Sequence, residues 1–314
     1  RFIAGLRFDD HAHWGQRTTP RLSFTYNPNQ LDHIVRWSYQ EGFKGAPGVH
    51  YVGGVLRDGL LSQNNFDQLA GSGMTDSSTG DPVQNAVSPK PEELKSIELA
   101  VNGKLDINWT YEANLYQNTL TDFIFTRSTR NGQPESAIGS DLVGSWGGVF
   151  YYANQPGEIQ IRGIEVSTTY RLTNIQHRFS YSTQDVQSAE GFSFGLKSPV
   201  AGDEDGIEAN GVPEGIFRYQ ANWQINPETS INYQHVLLES WWAPWTNSKE
   251  PGVNWGNLSI IWQSNAQLRF KAFINNIWDE QGLYPVRARG KGNTDPGTPT
   301  IEPRNVSLAL EYRF

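Results

Sequence analysis

The last ten residues, Asn305 to Phe314, read NVSLALEYRF, and they constrain the fold more than any other stretch. Val306, Leu308, Leu310, Tyr312 and Phe314 fall on one parity, while Ser307, Ala309, Glu311 and Arg313 fall on the other. Side chains alternate faces along a strand, so this is a ribbon with one apolar and one polar face. The pattern recurs in Phe217, Tyr219, Ala221, Trp223 and Ile225 against Arg218, Gln220, Asn222 and Gln224. It recurs again in Leu268, Phe270, Ala272 and Ile274 against Gln267, Arg269 and Lys271. A chain built of such ribbons is all-β, and its apolar faces meet either a second protein layer or lipid. The aromatic carboxy-terminal residue favours lipid, with the final strand closing a barrel whose other face lines the lumen.

Composition agrees. Hydrophobic residues make up only 37% of 314, yet there are 11 Trp, 13 Tyr and 15 Phe. No run of about 18 apolar residues exists, which excludes a helical membrane protein. Mean hydropathy is -0.56, as expected where half of each strand faces water or a lumen. Cysteine is absent, so there is no disulfide framework or thiolate metal site. The net charge of -8 argues against a nucleic-acid partner. No cofactor is expected. The opening RFIAGLRFDD lacks the ordered regions of a signal peptide, so the start of an exported precursor is expected upstream of Arg1.

About twelve strands are predicted, near 1–8, 19–26, 31–40, 92–101, 105–125, 159–172, 175–186, 215–225, 229–239, 253–263, 266–278 and 305–314. Tight turns fall at Asn27-Pro28-Asn29-Gln30, Asn102-Gly103-Lys104, Leu172-Thr173-Asn174, Asn226-Pro227-Glu228 and Ser264-Asn265. Long connections cover roughly 9–18, 41–91, 126–158, 187–214, 240–252 and 279–304. Alternation of tight turns with long polar loops matches bacterial outer-membrane barrels, with the long loops outside the cell. Residues 1–314 read as a single domain.

Several segments together carry a family resemblance. Pro20-Arg21-Leu22-Ser23 leads to Tyr26 and Pro28. Tyr39-Gln40-Glu41-Gly42-Phe43-Lys44-Gly45-Ala46-Pro47 precedes a long loop. Lys90-Pro91-Glu92-Glu93 enters a strand bearing Ser96, Glu98 and Leu99. Tyr116-Gln117-Asn118, Asp122-Phe123-Ile124, Gly163-Ile164-Glu165 and Asn276-Ile277-Trp278-Asp279-Glu280 with Tyr284 follow in order. This succession resembles the carboxy-terminal half of the barrel of TonB-dependent outer-membrane receptors. Lys44 and Gly45 depart from the usual residues there. The resemblance implies a barrel of about 22 strands with a plugged lumen. The strands here would be its eleventh to twenty-second. A plug domain, a TonB-contacting segment and about ten further strands would precede Arg1, so the chain is expected to be a fragment or one half of a split receptor.

Candidate site residues lie in the long loops. Trp241, Trp242 and Trp245 offer indole faces to an aromatic chelate, a sugar or a cation, or else form an interfacial girdle. Tyr284, Arg287 and Arg289 could attract an anionic ligand such as a ferric siderophore, or pair with lipopolysaccharide phosphates. Asp203, Glu204 and Asp205 suggest a cation site, but a solvated acidic loop is the plainer reading. His11 and His13 share a parity and could meet one metal, but surface position is the plainer reading. His235 falls among apolar neighbours, and a strand bulge turning it inward is expected. No Walker loop, GxGxxG or GxSxG occurs, so no enzyme is expected.

The expected function is capture and TonB-driven import of a scarce nutrient, a ferric siderophore or similar metal chelate. Outer-membrane lipid, lipopolysaccharide and the TonB complex are the expected partners. A self-standing passive channel of about twelve strands is the alternative.

Overall fold

The computed structural model describes residues 1–28, 32–46, 73–76, 80, 89–130, 149–154, 157–189, 197–199, 208–210, 212–243, 248–284, 298–299 and 301–314. Twelve strands form one antiparallel sheet: β1 Phe2–His11, β2 Gly15–Tyr26, β3 His33–Lys44, β4 Glu92–Asp106, β5 Trp109–Thr121, β6 Glu158–Arg171, β7 Ile175–Ala189, β8 Gly215–Asn226, β9 Thr229–Leu238, β10 Val253–Gln263, β11 Leu268–Asn275 and β12 Asn305–Tyr312. Each strand pairs with its neighbours in sequence, so the order across the sheet is the order along the chain. The sheet is open. Among the described residues β1 bonds only to β2 and β12 only to β11.

The two parities become two faces. A single hollow is lined from Thr25 on β2 through Arg36, Asn102, Glu112, Glu165 and Arg178 to Arg218 on β8, so the sheet curves around its polar side. The other face carries Leu6, Leu99, Leu115, Ile164, Val166, Leu308 and Leu310, all exposed. Aromatics cluster on this outer face near the tight turns: Tyr26, Trp109, Tyr170, Trp223, Trp262, Phe270, Tyr312 and Phe314 are each exposed. Trp262 stacks on Phe270 at 5.2 Å, and the Trp109 indole N–H donates to Thr168 Oγ1 at 2.6 Å. An exposed apolar band ending in a row of aromatics is the outer surface of a membrane barrel.

The tight turns use side-chain oxygens as backbone acceptors. Asn226 Oδ1 takes the N–H groups of Glu228 and Thr229, and Asn265 Oδ1 takes those of Gln267 and Leu268. The turn expected at Asn102–Lys104 lies further on: β4 continues to Asp106, whose carboxylate accepts from Asn108 N at 2.6 Å. Gly103 is inside the strand because a Cβ there would lie 2.4 Å from His33 Nδ1 and 2.6 Å from the Asp32 carbonyl oxygen. Glycine serves clearance at this position. The connection expected over 9–18 is also tight, since pairing runs to His11 opposite Gly15. Gly15 makes that reversal at a φ of 74°.

His235 stays outward. The register around it is continuous, pairing it with Tyr219 and Gly256, and no bulge occurs there. Its Nδ1 meets the Tyr233 hydroxyl at 3.0 Å, and its ring lies 5.1 Å from Trp278, which fills the space over Gly256. A hydrogen-bonded, ring-covered imidazole can remain on the apolar face, so the expected inward turn is unnecessary.

Lys at Leu308 or Leu310 should cost about 2–4 kcal/mol near the bilayer midplane. Loss of the heat-modifiable folded band on electrophoresis is the expected outcome for both variants.

Candidate functional site

The polar face is organised in cross-strand rows. One row runs Arg36, Ala100, Asn114, Glu165, Ser182, and the next runs Ile34, Asn102, Glu112, Ser167, Ser180, Arg218. They bound a hollow of about 730 Å³, to which Arg178 also contributes. A second hollow of about 590 Å³, lined by Asp32, Lys104, Thr110, Thr169, Arg171 and Arg178, continues it toward the tight turns. Among the described residues, no ion pair engages Arg36, Arg178, Arg218, Glu112 or Glu165. Asn114 Oδ1 is enclosed without a hydrogen-bond partner among them. Such a wall suits water, a polar body in the lumen, or an anion taking charge-assisted bonds from guanidinium groups.

A second assembly stands at the long-loop rim. Thr75–Asp76, Ile124–Arg130 and Phe150–Asn154 form a three-stranded sheet that joins two of the long connections. Asp76 is 4% exposed and accepts from Arg127 Nη1 at 3.2 Å and from the Tyr151 hydroxyl at 2.8 Å. Burial, and then the Asp76 carboxylate, push the Tyr151 hydroxyl well above the usual phenol range. Met74 and Val149 are buried in the same sheet. Its root is pinned by Asn154, whose amide binds both backbone groups of Lys90 and the Asp122 carbonyl. Glu92 accepts from Ile124 N at 2.9 Å.

The base of the last long connection is held in a similar way. Asn276, 2% exposed, donates to the Glu280 and Glu302 carbonyls and accepts from Glu280 N. Asp279 Oδ1 accepts from Arg304 N at 2.8 Å. Asp122, Asn276 and Asp279 all adopt φ values of 50–57°, a region in which Asn and Asp are the favoured non-glycine residues.

Of the residues singled out from the sequence, Trp241 and Trp242 lie on the ribbon Trp241–Ala243, paired with Ser248–Glu250. Trp241 is buried at 8% exposure. Tyr284 lies on a second ribbon, opposite Thr298. Trp245, Arg287, Arg289, Asp203, Glu204 and Asp205 lie outside the described residues. His13 N donates to His11 Nδ1 at 3.2 Å, and the two rings are 5.5 Å apart. Sequence reasoning missed Asp76, Arg127 and Tyr151, which are single polar residues scattered over two connections.

Replacing Asp76 by Ala removes the buried carboxylate that Arg127 and Tyr151 share and should cost about 3 kcal/mol, confined to the rim sheet. Protease nicking within 73–154 while the barrel band persists would be the readout. Because the folded sheet holds the Tyr151 proton more tightly than an unfolded loop does, its contribution is complete below pH about 10. That contribution falls as pH rises through the folded-state value. Nicking at fixed protease activity should therefore increase above pH about 10, and Tyr151→Phe should remove that alkaline step.

With this geometry in place, the comparisons with known proteins are direct. Residues 1–277 match the family described as TonB dependent receptor-like, β-barrel. A vitamin B12 transporter, BtuB of Vibrio cholerae, is 26% identical over 190 residues, a match covering 60% of this chain and 23% of that protein. Among solved structures, a mutant of the ferric enterobactin receptor PfeA of Pseudomonas aeruginosa superposes with a TM-score of 0.68 at 16% identity, covering 100% of this chain and 42% of the receptor. The siderophore receptor PirA of Acinetobacter baumannii gives 0.61 at 14% identity, covering 100% and 43%. The chain thus spans less than half the length of the proteins it matches. It belongs to the TonB-dependent receptor β-barrel family, and its sheet is barrel wall in the outer membrane.

Proposed function

We propose that this chain is part of a receptor that captures a metal chelate outside the cell and imports it into the periplasm with energy delivered through TonB. The family match over residues 1–277 carries this reading. The named relatives point to chelates of two kinds: one is a vitamin B12 transporter and others are siderophore receptors. A ferric siderophore or similar chelate fits both the charged concave wall and the long-loop rim. No bond in the nutrient is made or broken, so the receptor acts without enzymatic chemistry.

Within this reading the wall formed by Arg36, Arg178 and Arg218 faces whatever fills the lumen, while the outer connections meet the ligand first. Trp241, Trp242, Trp245, Tyr284, Arg287 and Arg289 are its ligand contacts. Lipid covers the exposed apolar band. The open sheet weighs against a self-standing twelve-stranded channel, because β1 and β12 are not paired with each other. Further strands complete the wall, since unpaired backbone groups cost several kcal/mol each in hydrocarbon.

Cells lacking the receptor gene should lose uptake of radiolabelled iron supplied as its chelate, and should regain it with the wild-type gene only when TonB is present. Trp242→Ala should lower uptake severalfold with an unchanged heat-modifiable band. TonB-independent uptake would sink the energised mechanism, and unchanged uptake by the variant would remove Trp242 from the ligand contacts.

A further inference from the structure

The three-stranded sheet at the long-loop rim draws its strands from two different connections. Thr75–Asp76 belongs to the connection between β3 and β4, while Ile124–Arg130 and Phe150–Asn154 belong to the one between β5 and β6. Thr75 pairs with Arg130 and Asp76 with Thr129. A two-residue strand has too short a ladder to hold itself in place, and a lone hairpin is marginal in water. Burial is shared across the join instead. Met74 and Asp76 from the first connection, and Thr129, Val149 and Tyr151 from the second, are each at most 4% exposed.

The Asp76 carboxylate is the shared element. Its Oδ2 accepts from Arg127 Nη1 and from the Tyr151 hydroxyl, so it bridges both strands of the second connection from outside their hairpin. Withdrawing the first connection takes this carboxylate from both strands at once, and losing one member of a buried charge pair is strongly destabilising. The roots are joined as well. Asn154 on the second connection binds both main-chain groups of Lys90 on the first, together with the Asp122 carbonyl. Glu92, also buried, accepts from Ile124 N and lies 3.6 Å from Lys44 Nζ. Lys44 and Lys90 flank the first connection, and Asp122 and Asn154 stand near the two ends of the second. One carboxylate and one amide thus tie all four ends.

We propose that these two connections form a single cooperative unit, in which neither keeps its described structure unless the other does. Asp76 couples them at the sheet, and Asn154 and Glu92 couple them at the root. Whatever stabilises one connection stabilises the other, and the reverse holds to the same extent. Under the import reading above, a ligand that touches only one of them orders both. The coupling itself does not depend on what is transported.

The test is amide hydrogen exchange, read by mass spectrometry, on the intact receptor in detergent. The segments followed are 73–76, 124–130 and 149–154. Asp76→Asn keeps the side-chain shape and removes the charge. Asn154→Asp keeps the acceptor for Lys90 N and removes both donors. Each variant should speed exchange about tenfold or more in all three segments, by a common factor, with β11 and β12 unchanged. Unchanged exchange at 73–76 in Asn154→Asp overturns the unit, and so does a response to Asp76→Asn confined to its own connection. Asn276→Asp makes the same change at the root of the last connection and should leave all three segments as they were. Acceleration there would mean a general loosening of the rim, which also overturns the unit. Because exchange is read without ligand or TonB, failure here leaves the import reading standing, and failed uptake leaves the unit standing.

Discussion

Hydrocarbon offers no hydrogen bonds to a backbone, and everything else in this chain follows from that. Every N–H and C=O within the membrane must find a partner on a neighbouring strand. Between its two edge strands the sheet meets the requirement with in-order antiparallel pairing. Fixed register then fixes function. A slip of one residue would move Arg36, Arg178 and Arg218 into lipid and bring Leu99, Leu115 and Ile164 into the lumen. The charged wall and the apolar band are therefore one structural decision seen from two sides.

At the long-loop rim the same demand is met by side chains. Regular pairing stops there, but Asn154 and Asn276 each use both ends of an amide to hold main-chain groups from separate segments. The positive φ values at Asp122, Asn276 and Asp279 are strained for residues with a side chain. The clamps hold that strain in place and leave the loop roots rigid.

All twelve strands were legible in the sequence because two-residue periodicity is the direct imprint of a two-faced wall. The errors have physical reasons. Asn102-Gly103 carries a turn signature, but Gly103 is needed for its missing Cβ beside His33. The connection at 9–18 looked long because Asp9, Asp10, His11 and His13 are polar, yet pairing continues through His11. His235 looked misplaced on an apolar face until Tyr233 and Trp278 supplied its contacts. The Asp76–Arg127–Tyr151 group was illegible for another reason: Asp76 and Tyr151 are 75 positions apart and share no periodicity. Periodicity encodes neighbours across one hairpin, and this contact joins two separate long connections.

The low identity of the matching structures follows from the same physics. At 16% identity the superposition still covers 100% of the chain, because the outer face needs only apolar side chains of any shape and the turns need only short polar acceptors. Selection for the fold thus leaves the identities of most residues open.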